Sequence, residues 1–138
     1  MQNNTPRGIR NNNPGNIRHA GIAWQGLADP PSDGAFCVFT EPKFGIRALA
    51  MLLCNYKKKQ GINTIAGIIC RFAPATENDT QSYIRQVCDA MGKSANEPLD
   101  TENEATLLPL IRAIIKHENG QQPYTDGQIT EGIRCLKE

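Results

Sequence analysis

The chain has 138 residues, of which 39% are apolar and 21% charged, with 15 basic and 14 acidic residues giving a net charge of +1. That length supports a single domain with a core of its own, and the composition excludes a disordered chain. The near-balanced charge argues against a dedicated nucleic-acid binder, which carries a basic stripe.

In chain order, residues 1–35 are rich in Asn, Gly and Pro and read as ordered loop. The segment AFCVF, residues 35–39, is the best strand candidate, bounded by Gly34 and by Glu41-Pro42. Thr40 then precedes Glu41-Pro42, and Ile46, Leu49, Leu52, Leu53 and Tyr56 recur at helical spacing to about Gln60. A short helix is predicted after Asn63, carrying Ile65, Ile68, Ile69 and Phe72 and stopped by Pro74. The next helix takes Asn78 as its N-cap, with Gln81 three residues on, and Gly92 as its C-cap. Thr101 and Glu104 stand in the capping-box relation ahead of LLPLIRAIIKHENG. Pro109 inside that pattern predicts a kink or a later start. A last helix is capped by Thr125 with Gln128. The fold class expected is mainly α, one helical domain over residues 1–138 with a small irregular or β N-terminal lobe.

Five cysteines (Cys37, Cys54, Cys70, Cys88, Cys135) form no C-x-x-C pair, and their odd number excludes a fully paired disulfide framework. Buried free thiols and synthesis in a reducing cytoplasm are expected. The first residues contain no apolar run, so no signal peptide is expected, and no stretch approaches the ~18 apolar residues of a membrane span. The one charge run, residues 57–59, follows an apolar helical segment, where lysines complement the helix dipole.

The chemistry concentrates in HENG, residues 117–120. Leu107, Ile111, Ile114 and Glu118 are spaced four, three and four apart, which puts Glu118 on the buried face of its helix, at the C-terminal end. Desolvation there and the negative end of the helix dipole both favour the protonated acid. A carboxylic acid that keeps its proton is what glycosidic cleavage requires, because the leaving oxygen must be protonated. The plain alternative is a glutamate turned outward beside Lys116 and His117. RNNNPGNIR and AWQG crowd amides and the single tryptophan into one stretch, so Asn12, Asn16 and Trp24 suit sugar hydroxyls and a sugar face. The alternative is an Asn-Pro-Gly turn with Trp24 as a core anchor. Glu77, Asn78, Thr80 and Tyr83 cluster at a helix start and are further substrate-binding candidates, or only an N-cap with a buried tyrosine.

The order NNNPGNIR…WQG, FCVFTEPKFGIRALAMLLCNY, RFAPATENDTQSYIRQV is similar to the autolysin and flagellar glucosaminidases of the lysozyme-like superfamily. These carry an NN-x-F-G-I-K loop, an F-R-x-Y segment leading into a helix, and a Y-A-T-D-x-x-Y segment. The match covers roughly the first 90 residues. The family's catalytic glutamate sits in a helix-ending E-S-G upstream of the asparagine loop, whereas here only ten residues precede Asn11 and none is acidic. The resemblance therefore implies a circular permutation, with the helix ending at Glu118 in place of the family's first catalytic helix. The whole chain also resembles small phage and prophage proteins, often labelled virion or structural proteins, carrying RGIRNNNPGNI and HENG, a setting in which lytic virion proteins with a lysozyme-like fold exist.

These resemblances imply an enzyme that cleaves the β-1,4 glycan strands of peptidoglycan, as a muramidase, glucosaminidase or lytic transglycosylase, with Glu118 as general acid. Retaining hydrolysis needs a second carboxylate ~5–5.5 Å away, and inversion one at ~6.5–9.5 Å. Glu41, beside the FCVF strand, is the candidate, with Asp33 and Glu77 behind it. Without one, attack by the substrate's own 6-hydroxyl gives an anhydro product. No metal or cofactor is expected, and the partners expected are glycan strands, with delivery machinery or an immunity protein. The enzyme would act on the bacterial wall, carried there by a phage particle or a secretion apparatus. Two other readings stay open: a non-catalytic virion or wall-binding protein, and a cross-link peptidase using a cysteine with His19 or His117.

Overall fold

The computed structural model describes residues 5–74 and 79–137. The periodic segments form helices where the spacing predicts them, and the protein is mainly α. Helix α1 is a single turn, Arg7–Arg10, followed by strands β1 (Leu27–Ser32) and β2 (Cys37–Phe39). Helices α2 (Pro42–Gln60), α3 (Ile65–Phe72), α4 (Thr80–Met91), α5 (Glu104–Asn119) and α6 (Asp126–Arg134) follow, with a closing 3-10 turn at Cys135–Lys137.

Helix α2 starts on Pro42, whose missing N–H belongs to a position without an intrahelical partner, and ends on Gly61 in the left-handed conformation. Its buried Ile46, Leu49, Leu53 and Tyr56 run through the middle of the molecule. Thr64 caps α3, accepting from the Gly67 N–H at 3.1 Å. Helix α6 carries the full capping box, Gln128 N–H to Thr125 Oγ1 at 3.1 Å and Thr125 N–H to Gln128 Oε1 at 2.8 Å.

Two boundaries differ from the sequence expectation. Asp79 caps α4, accepting from Ser82 N–H at 3.2 Å, one residue beyond Asn78, which lies outside the described residues. Asn103, rather than Thr101, caps α5 through Ala105 N–H at 2.9 Å. Thr101 is instead fully buried, its carbonyl accepting from the Cys54 thiol. Helix α5 begins at Glu104 and runs through Pro109. So early in a helix the proline removes only one backbone bond, and seven buried residues hold the segment helical.

The N-terminal lobe holds more regular structure than its composition predicts. Strand β1 has the sequence LADPPS and pairs antiparallel with β2, Leu27 opposite Phe39 and Ser32 opposite Cys37. Five steps along β1 thus match two along β2. Two prolines without N–H groups cannot continue a ladder, so β1 bulges away from its partner between the two pairs. One apolar cluster joins Ile17, Cys37 and Phe39 of this lobe to the helices as far as Ile133. The thiols are buried at Cys37, Cys54 and Cys135, half-buried at Cys88 and exposed at Cys70, so the expectation of uniform burial fails on α3. Among the described residues, no helix is long and apolar enough to cross a membrane.

Candidate active site

The site is built on the asparagines of residues 11–16, most of which hold the chain together. Asn13 is completely buried. Its amide donates to the carbonyls of Ile17 and Cys37, both at 3.0 Å, and its oxygen accepts from Ile17 N–H at 3.0 Å. Asn11 donates to Asp33 Oδ2 at 3.0 Å, and Asn12 to the Phe39 carbonyl at 3.0 Å. Asn12 and Asn16 adopt φ of +54° and +51°, a region that asparagine tolerates better than most side chains. The loop lies so close to α2 that a Cβ on Gly45 would fall 1.9 Å from the Asn12 carbonyl oxygen. Only glycine fits there.

Helix α5 meets this loop at its C-terminus. Leu107, Ile111 and Ile114 are buried on the face that ends in a half-buried Glu118. Gly120, left-handed, closes the helix. Asn119 turns inward and donates to the Pro14 carbonyl at 2.8 Å and to Ile115 at 3.0 Å, tying the helix end to the loop. Glu118 then points at the loop and not away from it. Its Oε1 accepts from Asn16 Nδ2 at 3.1 Å and its Oε2 from the Tyr83 hydroxyl at 2.8 Å. The side-chain oxygens of Asn16 and Asn119 are buried without a donor and crowd Gly8 of α1, where a Cβ would sit 2.7 and 2.4 Å from them.

Tyr83 corrects a sequence expectation. It was a candidate to touch substrate, but it is fully buried, because it lies on the inward face of α4 with Ile84 and Val87. It holds Glu118 instead. Burial, with the Glu118 carboxylate beside it, pushes the Tyr83 phenol far above its ordinary range, so it keeps its proton at any working pH. Its ring stacks on His117 at 3.6 Å, and His117 Nδ1 bonds to Gln86 Oε1 on the same helix as Tyr83. A hydroxyl can both donate and accept, so the Tyr83 contact survives whether Glu118 is charged or neutral.

Glu118 lies in the wall of an open groove of about 400 Å³. Around it are Arg7, Asn16, Arg18, Phe36, Tyr56, Phe72 and Ala73. Across Leu52, which belongs to both, a second groove of about 450 Å³ carries Trp24 with Ile22, Gln25, Arg47, Asn55 and Lys59. Trp24 is half-buried and packs against the core, and Ile22 in the same groove stands 51% exposed.

The other candidates fall elsewhere. Glu41 is exposed at the N-cap of α2 with no side-chain cap bond, and it lines neither groove. Asn12 gives its amide to the Phe39 carbonyl, so its donor is committed to the fold. Asp33 is a loop staple. The N–H of Phe36, the Asn11 amide and the N–H of Ala35 hold its carboxyl down at about 2. Glu77, like Asn78, lies outside the described residues. Sequence reasoning missed Arg7, Arg18 and Phe36, which flank Glu118 in the groove. Their only signal is their place at either end of the asparagine loop and in the strand.

Fold and site together define a mainly α protein with a single helix-end glutamate anchored in an open groove by an asparagine and a tyrosine. No family model matches the chain. Protein P5 of Pseudoalteromonas phage PM2 is 42% identical over 134 residues, spanning 95% of this chain and 82% of the phage protein. The chain belongs to the family of that phage protein.

Proposed function

We propose that the protein is a lysozyme-like enzyme that cleaves the glycan strands of peptidoglycan, with Glu118 as general acid. The observation that carries this reading is the pair of bonds from Asn16 and Tyr83 to Glu118 in the wall of an open groove. The acid is thereby fixed in one orientation and still reaches a bound substrate, which general acid catalysis requires. The resemblance to permuted glucosaminidases gains support from the same geometry. Asn16, Phe36 and Phe72, one from each of the three resembling segments, border the groove with Glu118. Membership in a phage protein family fits a wall-degrading role at cell entry or exit.

A saccharide lying in the groove would extend across Leu52 to the Trp24 indole, whose face suits a sugar ring. Glu118 would protonate the glycosidic oxygen as that bond breaks and, as the resulting carboxylate, take up the proton of the hydroxyl that attacks. Because Glu41 stands outside both grooves, attack on the sugar carbon by the substrate's 6-hydroxyl is the version the described residues favour, giving a lytic transglycosylase. The test is mass analysis of fragments released from purified sacculi. Anhydro-sugar ends support this version, new reducing ends support hydrolysis, and free peptide amines alone would replace the reading with a peptidase. Binding without release would make the protein a wall-binding module.

A further inference from the structure

The chain is nearly neutral overall, but its cleft is not. Among the described residues, Arg7, Arg18, Arg47 and Lys59 line the two grooves that meet at Leu52, against one carboxylate, that of Glu118. Among the described residues, none of these four cations has a carboxylate within ion-pairing distance, and the ion pairs that exist stand elsewhere on the surface. Arg7 and Arg18 both lie over the Phe36 ring, with guanidinium carbons 3.8 and 4.8 Å from its centre. Both residues also line the first groove, so an anion bound there is attracted by two positive charges. On the far side of Leu52, the Nε of Arg47 is buried without an acceptor. Arg47 lines the second groove with Lys59, and among the described residues neither has an ion-pair partner there.

From this we infer that the cleft recognises free carboxylates carried by the substrate strand, with Arg7 and Arg18 forming one subsite and Arg47 with Lys59 another. This rests on the peptidoglycan reading. There, the carboxylates would be those of the stem peptides, which branch from the glycan at regular intervals. A guanidinium presents a planar pair of donors that matches a carboxylate, so these contacts add selectivity for a peptide-bearing strand over a neutral polysaccharide. Phosphodiesters of wall polymers offer the same oxyanion chemistry, and the experiment separates the two.

The test is co-sedimentation of Glu118→Gln protein with sacculi that contain no teichoic polymer. One half of the preparation is left intact, and in the other the free carboxylates are converted to methylamides with carbodiimide and methylamine. Amidation should weaken binding about tenfold, equivalent to about 1.4 kcal/mol. The double variant Arg7→Gln/Arg18→Gln should lose a similar factor on intact sacculi and nothing further on amidated ones. Arg7→Lys/Arg18→Lys, with an unchanged melting temperature as the folding control, should recover part of the affinity. Equal binding to both preparations, or the same loss by the double variant on each, overturns the inference. Binding that appears only when teichoic polymer is present also overturns it, in favour of phosphate. Carboxylate-dependent binding by a protein whose wild type releases no fragments would instead sink the proposed reaction and leave the subsite standing.

Discussion

The helical body and the N-terminal lobe are held together by different physics. In the body, Ile46, Leu53, Ile111 and Ile114 are buried without polar partners, and each contributes through the area it removes from water. In the lobe, Asn11, Asn12 and Asn13 replace a sheet or helix with side-chain bonds to carboxylate and carbonyl oxygens. Burial is non-directional and tolerates small shifts, whereas each of these bonds fixes a distance and an angle. The functional consequence is a division of labour. The body carries Glu118 to the end of a rigid helix, and the lobe sets the loop that meets it.

That comparison can be broken first in the body. Ile111→Ala leaves a cavity in the centre of α5 and should cost roughly 4 kcal/mol, lowering the melting temperature of the whole molecule with activity per folded molecule retained. In the lobe, Asn13→Ala takes the acceptor from Ile17 N–H and a donor from the Ile17 and Cys37 carbonyls, of which the Ile17 carbonyl keeps the Cys37 N–H, and should cost roughly 3 kcal/mol. Its mark should be different: activity falls more steeply than helical signal by circular dichroism, because Asn16 loses its setting. Equal loss of both signals would mean that lobe and body unfold as one unit.

The Asp33 staple sharpens the contrast through pH. Its folded value, about 2, is below its ordinary 3.8, so its contribution is complete above about pH 4 and disappears as pH falls through 2. Protection factors for amide exchange at Ala35 and Phe36 should fall over that interval, while those in α5 stay high. Asp33→Asn should abolish the pH dependence of protection at those two amides. The smallest effect belongs to Glu41→Gln. With an exposed side chain making no cap bond, it should change stability by under about 0.5 kcal/mol and wall-degrading rate by less than twofold, measured by turbidity loss of a sacculus suspension. A hundredfold loss would restore Glu41 as a base or nucleophile.

The same division explains what could be read from the sequence. Helices α2 to α6 were legible because buried residues recur every three or four positions and the caps are chemically distinctive, as at Thr125 and Gln128. Where two cap-competent residues stand close together, as Asp79 after Asn78 or Asn103 after Thr101, spacing cannot choose between them, since backbone geometry decides. Strand β1 was hidden because its prolines carry the signature of a turn. At the site, helical spacing was enough to place Glu118 at the end of the buried face. Its partners were less legible. Tyr83 reads equally as a substrate contact or a buried tyrosine, since a sequence does not distinguish a tyrosine that faces a ligand from one that faces an acid. Arg7 and Arg18 reach the groove only through tertiary folding, which brings both ends of the asparagine loop around Phe36.

The central claim is that Glu118 donates a proton to a bound glycan, and Glu118→Gln tests it most directly. The amide keeps the shape and can still accept from Asn16 or Tyr83, so the melting temperature should move little. The rate of fragment release from purified sacculi should fall by about 10²- to 10⁴-fold. A variant that folds normally and clears sacculi at near the wild-type rate would remove Glu118 from the reaction and contradict the account.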